Sequence, residues 1–418
     1  MATASSRTPR RQPVRAAGTR LLVAMLVSAV CGVRSSSSDS EPLTVDKVLN
    51  EMNITGKGCV VYMAQNGKHT SYGAASRGTQ KDMLIRSVDL LFKNYNDREK
   101  EDVLIFHTGD FNAMDISDVA KGRPEVYFKL LEEGGEWWSL PANIPEASKA
   151  EWELFKRNVR KPFFSEGYRH MIMWYSVRIW KYLERAGYKW VMRMDDDSYL
   201  HSEVTYNIFE HMQQQRFLYG FRQIACEIST APGFMEMVLQ HVKKKQIKPT
   251  FLYDHCSPRT AAGCHTKGAT AVLTKKCETR KVGLRGKGEK GWSHLGYYNN
   301  FFVTYIPFWR TQEVQGLLRH IEASKGMYVK RWNDLIIQTI AVQTFMPKKH
   351  VHWFNDFTYE HASVNNKGTL VYGGLAPGKG AGKNATAAKA FRSRYGRMKV
   401  KVFNNKVREG ASKVLWYE

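Results

Sequence analysis

Three consecutive aspartates, Asp195, Asp196 and Asp197, directly follow residues 189–194, a mostly apolar run with the composition of a buried strand. Hard divalent cations prefer oxygen ligands, and carboxylates just past a strand end can supply two of them. A cation held in this way can neutralise the phosphates of an activated donor as a diphosphate departs. The triplet could also be a solvated loop or a helix cap, with Ser198 as the capping residue. Whether it is a metal site therefore depends on the residues that accompany it.

The sequence around the aspartates predicts a parallel α/β sheet. The apolar runs 59–64 and 102–107 indicate buried strands, and the apolar spacing over 83–95 places a helix between them. A strand, a helix and a strand at these spacings indicate a βαβ unit, whose ligands bind outside the carboxyl ends of the strands. Further predicted elements are helices over 170–183, 203–213, 311–323 and 335–344 and strands over 190–194, 217–221 and 351–354. This alternation predicts a three-layer α/β/α sandwich with a mostly parallel central sheet.

The N-terminal residues have the pattern of a targeting segment. Residues 1–20 are basic, 21–33 form a short apolar run and 34–45 are a Ser-rich linker. The pattern predicts a signal peptide or a signal anchor, and both remain open because a membrane span needs roughly 20 apolar residues. The preceding positive charge would leave the remainder of the chain in the lumen. Glycosylation sequons at Asn53 and Asn384 are compatible with that location.

One large folded domain is predicted over 46–372 of the 418-residue chain. Within it, residues 243–291 are rich in Lys, Gly and Cys without clear periodicity, which predicts a loop or insertion. Residues 373–418 have the composition of a mobile basic tail. The chain carries 63 basic and 39 acidic residues, a net charge of +24 that suggests nucleic-acid binding. Because much of the excess lies in the N-terminal arginines, residues 275–290 and the tail, we expect no nucleic-acid partner.

Four cysteines, Cys226, Cys256, Cys264 and Cys277, lie in one region of the chain. In an oxidising lumen they could form one or two disulfides, and their pairing stays open. The alternative is a zinc site that replaces Cys226 with His265. Zinc is the less favoured reading, because the spacing lacks a Cys-x-x-Cys pair.

Three groups of motifs occur in a fixed order along the chain. They are Gly-Tyr-Arg-His-Met at 167–171; Tyr-Lys-Trp-Val-Met-Arg-Met-Asp-Asp-Asp at 188–197, followed by Tyr-Gly-Phe at 219–221; and Gly-Met-Tyr-Val-Lys-Arg-Trp-Asn-Asp at 326–334, followed by His-Trp-Phe-Asn-Asp at 352–356 and Tyr-Glu-His at 359–361. In this order and spacing they resemble motifs of the fungal-type Golgi α-1,2-mannosyltransferases, glycosyltransferase family fifteen. The similarity extends from about Cys59 to His361.

The resemblance implies a GT-A fold, GDP-mannose as the donor, Mn²⁺ as the cofactor and retention of the anomeric configuration. The implied partners are a nucleotide sugar and a glycan or glycoprotein acceptor in the lumen of the secretory pathway, at the Golgi. The membrane is a further partner if the N-terminal anchor is not cleaved. The acceptor, the linkage and the oligomeric state stay open.

The resemblance also assigns metal ligands. The acidic motif of the family falls on the triplet, which implies that Asp195 and Asp197 hold the metal and that Asp195 and Asp196 lie at the donor diphosphate. The metal-binding histidine of the family falls on His361. Two carboxylates, a neutral imidazole and phosphate oxygens form a reasonable Mn²⁺ shell. The alternative for His361 is an ordinary surface histidine in a loop.

Other family positions imply roles in substrate binding. Asp334, in the Arg-Trp-Asn-Asp element, would lie near the acceptor hydroxyl as a proton acceptor or orienting group. Its alternative is the N-cap of a helix that begins at Leu335. Tyr168 and Arg169 would lie near the donor and Trp174 would line its pocket. The alternatives for these three are a buried tyrosine, a structural ion pair and a core tryptophan.

The chain departs from the family in a block that contains Asn-Phe-Glu-Ile, whose glutamate has been considered as a nucleophile. Counting back from Arg331 without gaps puts Phe302 at the glutamate position and Leu295 and Gly296 at a cysteine and a histidine of the block. A phenyl ring cannot attack an anomeric carbon. Either transfer proceeds by front-face attack guided by the diphosphate, or this homologue has altered chemistry.

Two alternative functions stay open. A GT-A transferase with a UDP-sugar donor would use the same metal chemistry, since the metal does not select the sugar. A luminal sugar-binding or partner-binding homologue with a decayed site is supported by Phe302. The retained aspartates, Asp334 and His361 count against decay.

Overall fold

The computed structural model describes residues 42–361, with gaps at 52, 68–78, 142–143, 145–165, 223, 227–230, 257–291, 293, 355 and 358. The predicted targeting residues, most of the Ser-rich linker, the basic tail and most of the 243–291 loop lie outside the described residues, as do Cys264 and Cys277. Cys256 is a buried free thiol. None of the described helices combines the length and the apolar character that crossing a membrane requires.

Strands of the described chain form one large sheet and two small ones. In chain order they are β1 (Gly58–Met63), β2 (Asp102–His107), β3 (Val126–Leu130), β4 (Trp190–Met194), β5 (Tyr199–Leu200), β6 (Tyr219–Phe221), β7 (Ile224–Cys226), β8 (Leu295–Tyr297), β9 (Phe301–Tyr305), β10 (Val351–Trp353) and β11 (Tyr359–Glu360). The seven-stranded sheet has the order β10-β6-β9-β4-β1-β2-β3, while β11 pairs with β5 and β7 with β8. In the large sheet β9 runs antiparallel to β4 and β6, and the other neighbouring pairs are parallel. The predicted mostly parallel central sheet is therefore confirmed.

Helices connect the strands. They are α1 (Val45–Asn50), α2 (Gln80–Leu91), α3 (Asp97–Glu99), α4 (Ala113–Ala120), α5 (Glu166–Met173), α6 (Ile179–Arg185), α7 (Ile208–Gln214), α8 (Phe234–Lys244), α9 (Ile306–Arg310), α10 (Gln312–Ala323), α11 (Gly326–Val329) and α12 (Asp334–Phe345). Single π-helical turns, Phe92–Asn96 and Trp174–Arg178, extend α2 and α5, and short 3₁₀ turns cover Leu252–Asp254 and Lys348–His350.

Helical segments cover both faces of the sheet, as the predicted three-layer sandwich requires. On one face, Tyr62 of β1 and Ser87 of α2 share a hydrogen bond of 3.2 Å. The preceding residue, Val61, points to the other face because side chains alternate along a strand. There its register partner, Arg193 of β4, lies against Tyr175 of the second π turn.

Two helices begin at asparagine caps rather than at the predicted residues. The helix predicted over 203–213 is α7, which begins only at Ile208. The Asn207 side chain caps it by accepting a hydrogen bond from the backbone N–H of Glu210. In the same way, the Asn333 side chain accepts from the N–H of Ile336 at the start of α12. Each cap satisfies a backbone donor that the first helical turn leaves unpaired.

Gly220 of β6 lies too close to its neighbours to accept a side chain. A Cβ built there would lie 2.5 Å from Cε2 of Phe354 and 3.2 Å from Cε of Met212. We expect Gly220→Ala to lower the free energy of unfolding by about 1–3 kcal/mol, because the core becomes overpacked. Urea denaturation monitored by tryptophan fluorescence measures this change.

Gly316, within α10, provides the matched control, because a Cβ there meets no described atom within 4 Å. Gly316→Ala should raise the free energy of unfolding by about 0.5–1 kcal/mol through improved helix propensity. Shifts of the same sign in both variants would contradict the packing explanation.

Candidate metal and substrate site

The aspartate triplet lies at the carboxyl edge of the central sheet. β4 ends at Met194, and the antiparallel strand β9 begins beside it at Phe301. The backbone N–H of Asp195 donates to the carbonyl of Asn300 at 3.2 Å, so the pairing of the two strands continues by one residue. Because β9 runs against its neighbours, its first residues, rather than its last, lie beside the aspartates.

His361 is brought to the triplet by the small β5–β11 sheet. The hydroxyl of Tyr359 on β11 lies 2.6 Å from Oγ of Ser198, the residue after the triplet. The fully buried carboxylate of Glu360 contacts Nε2 of His201 at 2.7 Å. These contacts fix the segment that carries His361 beside the residues that follow β4.

The three residues predicted as metal ligands meet. Nε2 of His361 lies 3.1 Å from Oδ1 of Asp197 and 3.6 Å from Oδ2 of Asp195. One ligand atom from each residue lies within 4.8 Å of the others. Ligand atoms on one ion with bonds of about 2.1 Å lie roughly 3–4 Å apart. Two carboxylates and an imidazole therefore fit Mn²⁺ in ligand type and in spacing.

The charges of these groups depend strongly on one another. Burial alone would lower the pKa of His361, but the charge of Asp197, with Tyr298 and hydrogen bonds to Asp195 and Asp197, raises that pKa well above its ordinary value. The imidazole thus holds a proton between the carboxylates, and a bound metal cation would replace that proton. For Asp196, burial first and the charges of Asp197 and Asp195 second raise the pKa well above its ordinary value.

A buried cation, Arg193 of β4, links the triplet to Asp334. Its Nε donates to Oδ1 of Asp195 at 2.9 Å and its Nη1 to Oδ2 of Asp334 at 2.6 Å. The guanidinium carbon lies 3.5 Å from the centre of the Tyr175 ring. Burial alone would lower the pKa of Arg193, but the charges of Asp195 and Asp334 raise it above its ordinary value. Arg193 is therefore permanently charged, and its two carboxylate partners are held in fixed positions.

Asp334 is the first residue of α12 and not its cap. Asn333 occupies the cap position, so the alternative reading of Asp334 as the N-cap was wrong. The Asp334 carboxylate instead accepts from Arg193 and, at 2.7 Å, from Nδ2 of Asn299. Both contacts use Oδ2, which sets the orientation of the carboxylate at the sheet edge.

The residues predicted for the donor side lie on α5 and the π turn after it. Tyr168 is partly exposed, and its hydroxyl accepts from Nη2 of Arg331 at 3.2 Å. Arg169 is fully buried and donates to the backbone carbonyl of Tyr328. Trp174 is fully buried in an aromatic cluster against β2. The donor-binding roles of all three stay predictions.

Phe302, which gap-free counting puts at the family glutamate position, lies in the core. It is the register partner of Arg193, and its fully buried ring packs against Tyr219 and Trp180 with ring centres 6.0 and 6.2 Å apart. The side chain presents no polar group to the site.

Sequence reasoning missed Arg193, Asn299 and Asn300 as site residues. Arg193 carried a usable signal, because a single charge within an otherwise apolar strand needs a buried partner. Asn300 carried one too, because the count that puts Phe302 at the family glutamate puts Asn300 at the asparagine of the same block. Asn299 carried none, since its position depends on β9, a strand that was not predicted.

The chain is similar in sequence to known proteins. A sequence profile described as glycolipid 2-alpha-mannosyltransferase matches residues 65–369. Glycolipid 2-alpha-mannosyltransferase 2 of Candida albicans is 23% identical over 292 residues, which cover 69% of this chain and 57% of that protein. Glycolipid 2-alpha-mannosyltransferase of Saccharomyces cerevisiae is 24% identical over 243 residues, which cover 58% of this chain and 49% of that protein. The matched region therefore spans about half the length of these relatives.

Solved structures share the fold. Core-mannan synthase A from Aspergillus fumigatus, in a Mn/GDP form, superposes with a TM-score of 0.60 at 16% identity, covering 81% of this chain and 83% of that chain. The mannosyltransferase Ktr4p of S. cerevisiae in complex with GDP superposes with a TM-score of 0.58 at 17% identity, covering 87% and 88%. These similarities confirm the predicted glycosyltransferase-like α/β fold class.

Replacing Arg193 should destabilise the fold, because its carboxylate partners lose their counter-charge. We expect Arg193→Met to lower the free energy of unfolding by about 3–5 kcal/mol, because Asp334 becomes an unpaired buried charge. Adding Asp334→Asn should recover part of that loss, since the unpaired charge is then removed. Urea denaturation at pH 7 of both single variants and the double variant measures the coupling.

Lys181→Met is the control, because Lys181 forms an ion pair with Glu136 while the two side chains remain 43% and 52% exposed. Its effect should stay below about 1 kcal/mol. If the changes in the free energy of unfolding caused by Arg193→Met and Asp334→Asn simply add in the double variant, the two side chains are not coupled.

Proposed function

The chain belongs to the glycolipid 2-alpha-mannosyltransferase family, and from this premise we propose that it is a metal-dependent retaining glycosyltransferase. The proposed reaction moves mannose from GDP-mannose to a glycoprotein glycan, as an α-1,2-mannosyltransferase does. The observation that carries this proposal is the convergence of Asp195, Asp197 and His361 within 4.8 Å at the carboxyl edge of the sheet.

In this proposal Asp195, Asp197 and His361 hold Mn²⁺. When bound, the ion supplies positive charge to the donor diphosphate and stabilises it as a leaving group. A solved protein of the same fold in a Mn/GDP form supports this choice of metal and nucleotide. The ion pairs of His361 with both carboxylates support a common binding point for a cation.

Asp334 orients the acceptor hydroxyl in the proposed reaction. Arg193 and Asn299 both donate to its Oδ2, which holds the carboxylate in one orientation. Its Oδ1 would accept a hydrogen bond from the hydroxyl and so align the oxygen with the anomeric carbon.

Because Phe302 offers no nucleophile, the proposed transfer is a front-face substitution. The bond between the anomeric carbon and the departing phosphate oxygen breaks, and the bond to the acceptor oxygen forms on the same face. The phosphate oxygen takes the proton of the acceptor hydroxyl. This route retains the anomeric configuration without a covalent enzyme intermediate.

On the donor side, Tyr168 and Asp196 are proposed to contact GDP-mannose directly. Arg169 and Trp174 are fully buried. Their proposed part is to fix α5 and the π turn from within the core, so that Tyr168 is held in place.

The proposed setting is the lumen of the secretory pathway, at the Golgi. Its support is the sequence pattern of basic residues 1–20 and the apolar run 21–33. The catalytic domain is proposed to occupy 46–372, followed by a basic tail.

A second candidate is a sugar-binding or partner-binding homologue that has lost catalysis. The burial of Phe302 at the family glutamate position favours it. The two candidates differ in turnover and not in GDP binding.

Turnover of nucleotide sugars by the full chain, with and without Mn²⁺, tests the proposal. We expect hydrolysis and transfer with GDP-mannose that require Mn²⁺, and a loss of at least about a hundredfold in Asp197→Ala, because a metal ligand is removed. Asp118→Ala, which removes an exposed carboxylate paired with Lys81, should leave the rate unchanged.

Other outcomes are equally informative. Turnover of a UDP-sugar in place of GDP-mannose would overturn the donor assignment and keep the metal site. GDP binding with no turnover of any donor would favour the non-catalytic homologue.

A further inference from the structure

Asn300 is a buried residue whose position the backbone fixes tightly. It directly precedes β9 and is 3% exposed. Its carbonyl accepts from the N–H of Asp195 at 3.2 Å, and the hydroxyls of Ser198 and Tyr359 lie 3.3 and 3.2 Å from the same oxygen. These three contacts use the backbone of Asn300 only.

The side-chain amide of Asn300 is left without a partner. Within the described part of the chain, neither Oδ1 nor Nδ2 forms a hydrogen bond. Buried amides are nearly always paired, because an unpaired buried donor or acceptor costs folding free energy. An amide with both ends unpaired at the edge of a site therefore points to a ligand.

Strand pairing shows where Asn300 lies. Met194 is the register partner of Phe301, and one pair further along Asp195 stands opposite Asn300. Asn300 therefore lies directly opposite the residue that carries the first carboxylate of the triplet. The neighbouring Asn299 donates to Asp334. Asn300 thus lies between the candidate metal ligands and the proposed acceptor-orienting carboxylate.

The chemistry of an amide distinguishes among possible ligands. A diphosphate offers only acceptors and a metal ion takes only the carbonyl oxygen, so either would leave one end of the amide unpaired. Two neighbouring hydroxyls can satisfy both ends, because each hydroxyl donates and accepts. Sugars carry such pairs.

We propose that Asn300 binds a pair of sugar hydroxyls in the reaction site, with Oδ1 accepting from one hydroxyl and Nδ2 donating to the other. This assignment deepens the proposed function and rests on it. Asn300 is then a specificity residue, since a site built to pair hydroxyls rejects sugars that lack them. The hydroxyls belong either to the transferred sugar of the donor or to the acceptor, and the two sources can be separated by experiment.

Isothermal titration of the full chain with Mn²⁺ and GDP, GDP-mannose or methyl α-mannoside tests the assignment. In Asn300→Ala, affinity for GDP should stay within about twofold of the unaltered chain. Affinity for GDP-mannose should fall roughly tenfold if the hydroxyls are those of the donor, and affinity for the mannoside should fall by that factor if they are those of the acceptor. Deoxy analogues of the affected sugar should lose affinity for the unaltered chain but not for the variant.

Gln343 on α12 provides the matched control. It is 1% exposed, and both ends of its amide also lack partners within the described chain. It lies nine residues along the helix from Asp334, so roughly 14 Å away. Gln343→Ala should change stability and leave all three affinities unaltered. If Asn300→Ala does not fold, Asn300→Ser, which keeps a small polar side chain but removes the amide, takes its place.

The outcomes separate this assignment from the proposed function. Unchanged affinities in Asn300→Ala, with GDP-mannose or mannoside still bound, overturn the assignment alone. A loss of GDP affinity equal to the loss of affinity for GDP-mannose or the mannoside also overturns it. The effect then lies on the nucleotide and not on the transferred sugar or the acceptor sugar. If the unaltered chain binds neither nucleotide nor mannoside, both the assignment and the proposed function fall.

Discussion

A guanidinium buried within a β-sheet must be paired with carboxylates, and at Arg193 this requirement shapes the whole site. Its two partners come from different parts of the chain, since Asp195 follows β4 and Asp334 opens α12. Losing both partners would leave the buried guanidinium without a counter-charge, which costs several kcal/mol of stability. The same contacts that satisfy Arg193 therefore hold the candidate metal ligand and the proposed acceptor-orienting group at a set separation.

The reversed direction of β9 is the second constraint. In an all-parallel sheet only residues after strand ends reach the ligand edge, but β9 brings residues that precede it. Asn299 and Asn300 reach the edge in this way, and the carbonyl of Asn300 lies within hydrogen-bond distance of Tyr359. The pairing of β11 with β5 then sets His361 beside the aspartates. The direction of β9 thus places the amides of Asn299 and Asn300 at the edge, and the β5–β11 pair places the imidazole of His361 there.

Phe302 lies in the core and contributes no polar group to the site. The ring packs in the core on the face that also carries Arg193, where it contacts Tyr219 and Trp180. Arg193 does not need a partner at position 302, because it forms ion pairs with Asp195 and Asp334. The remaining groups suit a reaction controlled by charge and orientation rather than by covalent attack, which is why front-face transfer is the proposed route.

The sequence by itself determined the α/β class, most strands and helices of the core, and the metal ligands as candidates, because apolar periodicity and motif order are local properties of the chain. It could not reveal β9, the caps at Asn207 and Asn333, or the pairing of Arg193 with Asp334. Residues 193 and 334 lie 141 positions apart, and their contact exists only after the sheet and α12 have packed. The tertiary structure alone decided that Trp174 and Phe302 belong to the core, because burial depends on what packs against a residue and not on its type.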